Sequence, residues 1–238
     1  INSITVGKGA NSVAGNTVLG ETALDAAVTG GSNTAIGKSA LTTLTSGTSN
    51  TAVGLESLEA NTTGAHNTAV GVRSLEANTT ASENTAIGRS AMYSNTTGAS
   101  NTAVGRSALK SNTTASENTG IGYLALEENT TGGFNTAVGA RALDANTTGA
   151  SNTAMGRVAL TSSTTGDFNT AVGGSALNQS TTASYNSAFG SSALELNTTG
   201  ASNTAVGMEA LKSNTTASNN TGIGRSALSV NTTGEKNT

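Results

Sequence analysis

One histidine, fourteen carboxylates and eleven cationic side chains are all that this chain offers for acid–base, metal or ion-pair chemistry. Their placement argues against most of it. His66, the single imidazole, sits at a variable corner with no recurring nucleophile or second ligand, so neither a general base nor a His-rich metal site assembles around it. The carboxylates are scattered at corners (Glu83, Glu117, Asp167, Glu235) or near one recurring position (Glu59, Glu76, Asp144), without the Gly-Gly-x-Gly-x-Asp pattern of calcium-binding β-rolls. No Gly-x-x-x-x-Gly-Lys-[Ser/Thr] phosphate loop occurs, and the lack of Cys removes disulfides, thiolate metal sites and cysteine nucleophiles. The expectation is a non-enzymatic chain with no catalytic residue, no metal ligand and no cofactor.

Composition points the same way. Hydrophobic residues make up 34% of the 238 positions and aromatics 3%, too little for an ordinary packed core. A net charge of −3 with 11% charged residues gives no basic footprint for nucleic acid, and no apolar run has the length that inserts into a membrane. The chain begins on Ile1 and ends inside a repeat, and it reads as an excerpt of something longer.

The elements that position these residues are set by an internal repeat. The segment Asn-Thr-Ala-Val/Ile-Gly recurs with its Asn at Asn16, Asn33, Asn50, Asn67, Asn84, Asn101, Asn118, Asn135, Asn152, Asn169, Asn186, Asn203, Asn220 and Asn237, an unbroken spacing of 17. Residues 1–15 are an irregular lead-in in which Ile4-Thr-Val-Gly and Asn11-Ser-Val-Ala-Gly resemble the motif at shorter spacing. Residues 16–238 hold thirteen repeats and the start of a fourteenth, read as one continuous shaft. The consensus is Asn-Thr-Ala-[Val/Ile]-Gly-x-x-Ala-Leu-x-x-Asn-Thr-Thr-[Gly/Ala]-x-x, numbered here as positions one to seventeen.

Position four is always apolar and position nine is Leu except at Met92, so these two columns are expected to form the core. Two aliphatics cannot offset the entropy of fixing 17 residues, at roughly 1–2 kcal/mol each for the backbone alone. One repeat cannot fold alone, and stacking identical coils solves the problem. The expected architecture is an all-β parallel β-solenoid with one coil per repeat, a rod on the order of 60 Å long at one strand spacing per coil. Thr-Ala-Val reads as a short strand, and Gly at position five as a corner. Positions six to eleven, as in Arg106–Ser111, are expected to form a second short strand, with a one-turn helix as the alternative.

The invariant Asn column, from Asn67 through Asn84, Asn101, Asn118, Asn135, Asn152, Asn169, Asn186 and Asn203, is expected to form a side-chain amide ladder from coil to coil. Asn-Thr-Thr at position twelve is turn chemistry, a better reading of these Asn-x-Thr sequons than glycan acceptors. Position fifteen alternates between Gly and Ala over much of the chain, which suggests a 34-residue double unit. Phe134, Phe168 and Tyr185 share the corner column at position seventeen and mark a candidate contact edge for a neighbouring chain or a glycan. The near-constant Ala at positions three and eight, represented by Ala103 and Ala108, suggests an interchain seam.

Asn-Thr-Ala-Val-Gly followed by x-x-Ala-Leu resembles the Asn-Ser-x-Ala-Ile-Gly repeat of trimeric autotransporter adhesin heads and related repeats of phage tail fibres, over essentially the whole chain. The resemblance implies a left-handed parallel β-roll, three chains around one axis, in a virion or cell-surface appendage outside the cell. Here the repeat is 17 residues rather than about 14. The expected function is a structural fibre or adhesin shaft that self-associates as a homotrimer or fibre, with any host receptor or glycan met through flanking domains. The alternative is an ice-binding solenoid, against which the sequence sets most Thr beside Asn and Gly at corners rather than on an exposed strand face.

Overall fold

The structure, a computed structural model, describes residues 5–238. Ile4, part of the first lead-in motif, lies outside the described residues. The chain divides into two compact units, Ile1–Glu117 and Asn118–Thr238. Each is an all-β parallel β-solenoid that advances by one coil every 17 residues, and no helix occurs among the described residues. Among the described residues, therefore, no helix is long and apolar enough to cross a membrane.

In the first unit β1 (Thr5–Gly7) precedes β2 (Thr17–Gly20), β3 (Thr34–Ile36), β4 (Thr51–Val53), β5 (Thr68–Val70), β6 (Thr85–Ile87) and β7 (Thr102–Val104). Strands β2 to β7 pair parallel and in register, Thr on Thr and Val or Ile on its counterpart one repeat away. The second unit repeats this with β8 (Thr119–Ile121), β9 (Thr136–Val138), β10 (Thr153–Met155), β11 (Thr170–Val172), β12 (Ser187–Phe189), β13 (Thr204–Val206) and β14 (Thr221–Ile223).

The coil Asn67–Glu83 shows how the stack is held. Backbone N–H groups of Thr68, Leu75, Ala77 and Thr79 donate to carbonyls of the following coil, at 2.8 to 3.1 Å, while those of Gly71, Arg73 and Glu83 donate to the preceding one. Hydrogen bonding between coils thus continues far outside the strand. Short turns close the circuit, as where Asn78 N donates to Leu75 O at 3.2 Å.

Positions six to eleven are neither the expected second strand nor the alternative helical turn. They form consecutive turns in which positions seven and nine are left-handed: Arg73 has φ 58° and Leu75 φ 51°, and the same holds in coil after coil. Successive right-handed residues are what a helix needs, and alternating hands prevent one. A non-Gly residue in this region costs roughly 1–2 kcal/mol. Burial of Leu75 and its N–H bond to Ala91 O at 3.0 Å hold it there.

Position five requires glycine for two reasons. Gly88 has φ 134°, and a Cβ on it would lie 2.5 Å from Gly105 O in the next coil. The irregular lead-in has a clear role as well. β1 pairs antiparallel with β2, Ala10 N donates to Leu24 O at 3.4 Å, and Asn11 Nδ2 donates to Val28 O at 2.9 Å. These contacts cover the open edge of the first coil around its circuit, where an exposed parallel edge would invite pairing.

Candidate functional site

The strand alternation settles which residues face in and which face out, and it overturns two expectations. Ala at position three is fully buried, so Thr at position two and the aliphatic at position four both point outward. Val70, Ile87, Ile121, Met155, Phe189 and Val206 are 36 to 45% exposed. Position four is therefore not a core column. Position nine is, with Leu41, Leu58, Leu75, Met92, Leu109 and their equivalents through Leu211 at 0% exposure. The interior holds a small residue, Ala in most coils, opposite this Leu because two carboxamides per coil share the cross-section.

Ala103 and Ala108 are likewise at 0% exposure, packed inside the coil, so they cannot form an interchain seam. Small residues in register here answer a narrow interior rather than a second chain.

The invariant Asn forms a continuous ladder within each unit. Asn67 Oδ1 accepts the backbone N–H of Asn84 at 3.0 Å, and Asn84 Oδ1 accepts from Asn101 N at 2.9 Å and Asn101 Nδ2 at 3.2 Å. The same backbone-to-carboxamide bond joins Asn118 to Asn135, Asn135 to Asn152, Asn152 to Asn169, Asn169 to Asn186 and Asn186 to Asn203, at 2.9 to 3.0 Å. In most coils Nδ2 also closes onto the position-fifteen carbonyl of its own repeat, as from Asn101 to Ala115 O at 2.9 Å. These Asn side chains are fully buried, and a buried carboxamide is tolerable only with its donors and acceptors met.

A second ladder, at position twelve, was not expected from the sequence. Asn78 Nδ2 donates to Asn61 Oδ1 at 3.0 Å, Asn95 Nδ2 to Asn78 Oδ1 at 3.0 Å and Asn112 Nδ2 to Asn95 Oδ1 at 2.7 Å, each also closing its own turn on the carbonyl three residues on. The Asn-x-Thr sequons from Asn61 to Asn214 are thus buried inside the coil with their amides engaged, which agrees with the turn reading and shields them from modification. The only signal in the sequence was the 17-residue recurrence itself.

The 34-residue double unit has a physical cause. Coils with Ala at position fifteen carry Ser at sixteen, and that hydroxyl accepts the N–H of the preceding coil: Ala65 N to Ser82 Oγ, Ala99 N to Ser116 Oγ and Ala201 N to Ser218 Oγ, all at 3.0 Å.

At the corner column Phe134, Phe168 and Tyr185 are 61, 54 and 62% exposed. Phe168 and Tyr185 stack with centroids 5.3 Å apart and planes within 9°, whereas Phe134, two coils from Phe168, is outside that stack. His66 lies on the same column, exposed and left-handed at φ 59°.

One acidic cluster also went unforeseen. Glu56, Glu59 and Glu76 bring carboxylate oxygens within 4.8 Å of one another. Arg73 lies among them, with Nε 3.1 Å from Glu56 Oε2, Nη2 donating to Glu76 Oε1 at 3.0 Å, and its Cζ 4.9 Å from the Tyr93 ring centre. Hydrogen bonding to Glu76, followed by its charge, raises the Arg73 pKa above the ordinary guanidinium value. Desolvation first, then the charges of Glu56 and Glu76, push the Glu59 carboxyl above the usual carboxylate range. The arrangement ties three coils together through one guanidinium.

Comparison with models of known protein families, with curated proteins and with solved structures finds no match.

Proposed function

We propose that the chain is a non-enzymatic structural shaft, a repeat segment of an extracellular fibre or of a virion or cell-surface appendage, that works by associating with copies of itself. The observation that carries this reading is the outward strand face. In the first unit Leu19, Ile36, Val53, Val70, Ile87 and Val104 form one aliphatic row beside a row of Thr, and Ile121 to Ile223 form its counterpart in the second. A second copy carries the same row at the same period, so two such faces match coil for coil, and burying them removes apolar surface from water at roughly 25 cal/mol per Å².

Three chains around one axis is the number implied by the resemblance to trimeric adhesin heads and phage fibres. Any receptor or glycan would be met by flanking domains. Sedimentation equilibrium tests the reading: an associated species at micromolar concentration supports it, and a monomer throughout that range contradicts it.

One observation favours the ice-binding alternative. Thr at position two is on the strand and faces outward, in register with the aliphatic row, so most coils present Thr-x-Val or Thr-x-Ile on the outer strand face. Clear thermal hysteresis by the monomer would make this the better reading. A chain that associates and leaves ice growth unchanged favours the shaft.

A further inference from the structure

The second Asn ladder is broken at one place, and the break leaves polar atoms stranded. Ser163 and Ser180 occupy position twelve in consecutive coils between Asn146 and Asn197, and all four side chains are fully buried. Asn146 still donates to Asn129 Oδ1 at 2.7 Å and to Gly149 O at 3.0 Å. On the following side, however, Asn146 Oδ1, Ser163 Oγ and Ser180 Oγ have no protein group within hydrogen-bond reach. A hydroxyl is shorter than a carboxamide, so neither Ser can span the coil spacing that Asn bridges elsewhere. Asn197 Nδ2 donates to Gly200 O at 2.9 Å, and the rung that an Asn at 180 would accept from it is missing.

We infer that Ser163 and Ser180 form an internal water-binding site in which ordered water replaces the missing carboxamides. The chemistry fits water better than an ion or an apolar guest. Asn146 Oδ1 needs a donor, while the two hydroxyls donate or accept as required, and water alone supplies both functions without charge. Each internal water needs two to four polar partners, and along the three coil steps from Asn146 to Asn197 successive waters find them in Asn146 Oδ1, the two hydroxyls and the Asn197 amide. A buried polar group left unmet forfeits the hydrogen bonds it had in water, so hydration is the low-energy solution. The break also coincides with the Phe168–Tyr185 stack, which joins on the outside the same two coils that Ser163 and Ser180 fail to join on the inside.

Oxygen-17 magnetic relaxation dispersion on the whole chain reads long-lived internal water directly. The wild type is expected to show a dispersion amplitude that the Ser163→Asn/Ser180→Asn variant loses as the ladder is restored, and equal amplitudes would overturn the site. The Ser163→Ala/Ser180→Ala variant gives an independent sign. A hydrated site predicts a lower melting temperature, because the water loses partners. An unchanged or higher one means the hydroxyls were dry and unmet, which also overturns it. Circular dichroism at low temperature verifies that both variants are folded.

Discussion

Replacing Asn95 by Ala is expected to open its coil selectively. The change removes three buried hydrogen bonds: Asn95 Nδ2 to Asn78 Oδ1 at 3.0 Å, Asn95 Nδ2 to Gly98 O at 2.9 Å, and Asn112 Nδ2 to Asn95 Oδ1 at 2.7 Å. At about 1 kcal/mol net per bond these total about 3 kcal/mol, and the buried Asn78 oxygen left without its donor adds roughly 1–3 more. Native-state amide exchange reads this locally, since about 1.4 kcal/mol is a factor of ten and exchange reports the opening free energy segment by segment. The amide of Thr96, bonded to Thr113 O at 2.9 Å, should exchange at least about a hundredfold faster than in the wild type. Thr97→Ala, at the exposed neighbouring position, serves as control and should shift exchange by no more than about 0.5 kcal/mol. If Asn95→Ala behaves like Thr97→Ala, the position-twelve ladder does not hold the coils together and the argument from buried carboxamides fails.

Other perturbations have equally definite outcomes. Leu109→Ala should cost about 2–5 kcal/mol by urea denaturation, the usual range for emptying a fully buried Leu site, while Val104→Thr on the outward face should leave the unfolding of a dilute monomer nearly unchanged; equal losses would mean the inward and outward assignments are wrong. Gly88→Ala combines φ 134° with a backbone clash on Gly105, and its melting temperature should fall well below that of Ala99→Gly at a tolerant corner. Glu59→Gln should stabilise the chain at neutral pH, because a carboxyl whose folded pKa is raised favours the protonated form. That advantage should fade as pH falls through the raised pKa toward the unfolded value, and a melting-temperature gain that persists unchanged at acid pH would contradict the assignment. Removing residues 1–15 uncovers the β2 edge, and light scattering should then detect end-to-end association absent from the intact chain.

The coil period was legible because every column recurs at 17, and the parallel in-register stack follows from that recurrence. The inward direction was not. In Thr-Ala-Val the larger apolar residue is the natural choice for a core, but Ala103 goes in because Leu109 and the carboxamides of Asn101 and Asn112 already fill the section. The same misreading placed a seam on Ala103 and Ala108. The backbone of positions six to eleven was hidden for another reason: left-handed residues are signalled by Gly or Asn, and Ser107 and Leu109 adopt that region at φ 57° and 52° with neither signal. The corner aromatics could be located by column, yet only the structure brings Phe168 and Tyr185 into contact and leaves Phe134 out. The Glu56–Glu59–Glu76 cluster depends on Glu56 and Arg73 leaning across adjacent coils, which a list of spacings does not reveal.

The most direct test of self-association through the outward row uses the absence of native Cys, which lets a single spin label be placed cleanly. Interchain electron–electron distances would be measured with the label at Val104, on the aliphatic row, and at Thr114, on an exposed corner. The account predicts a well-defined interchain distance that is shorter at 104 than at 114. No interchain coupling at 104, or a shorter distance at 114, would contradict it.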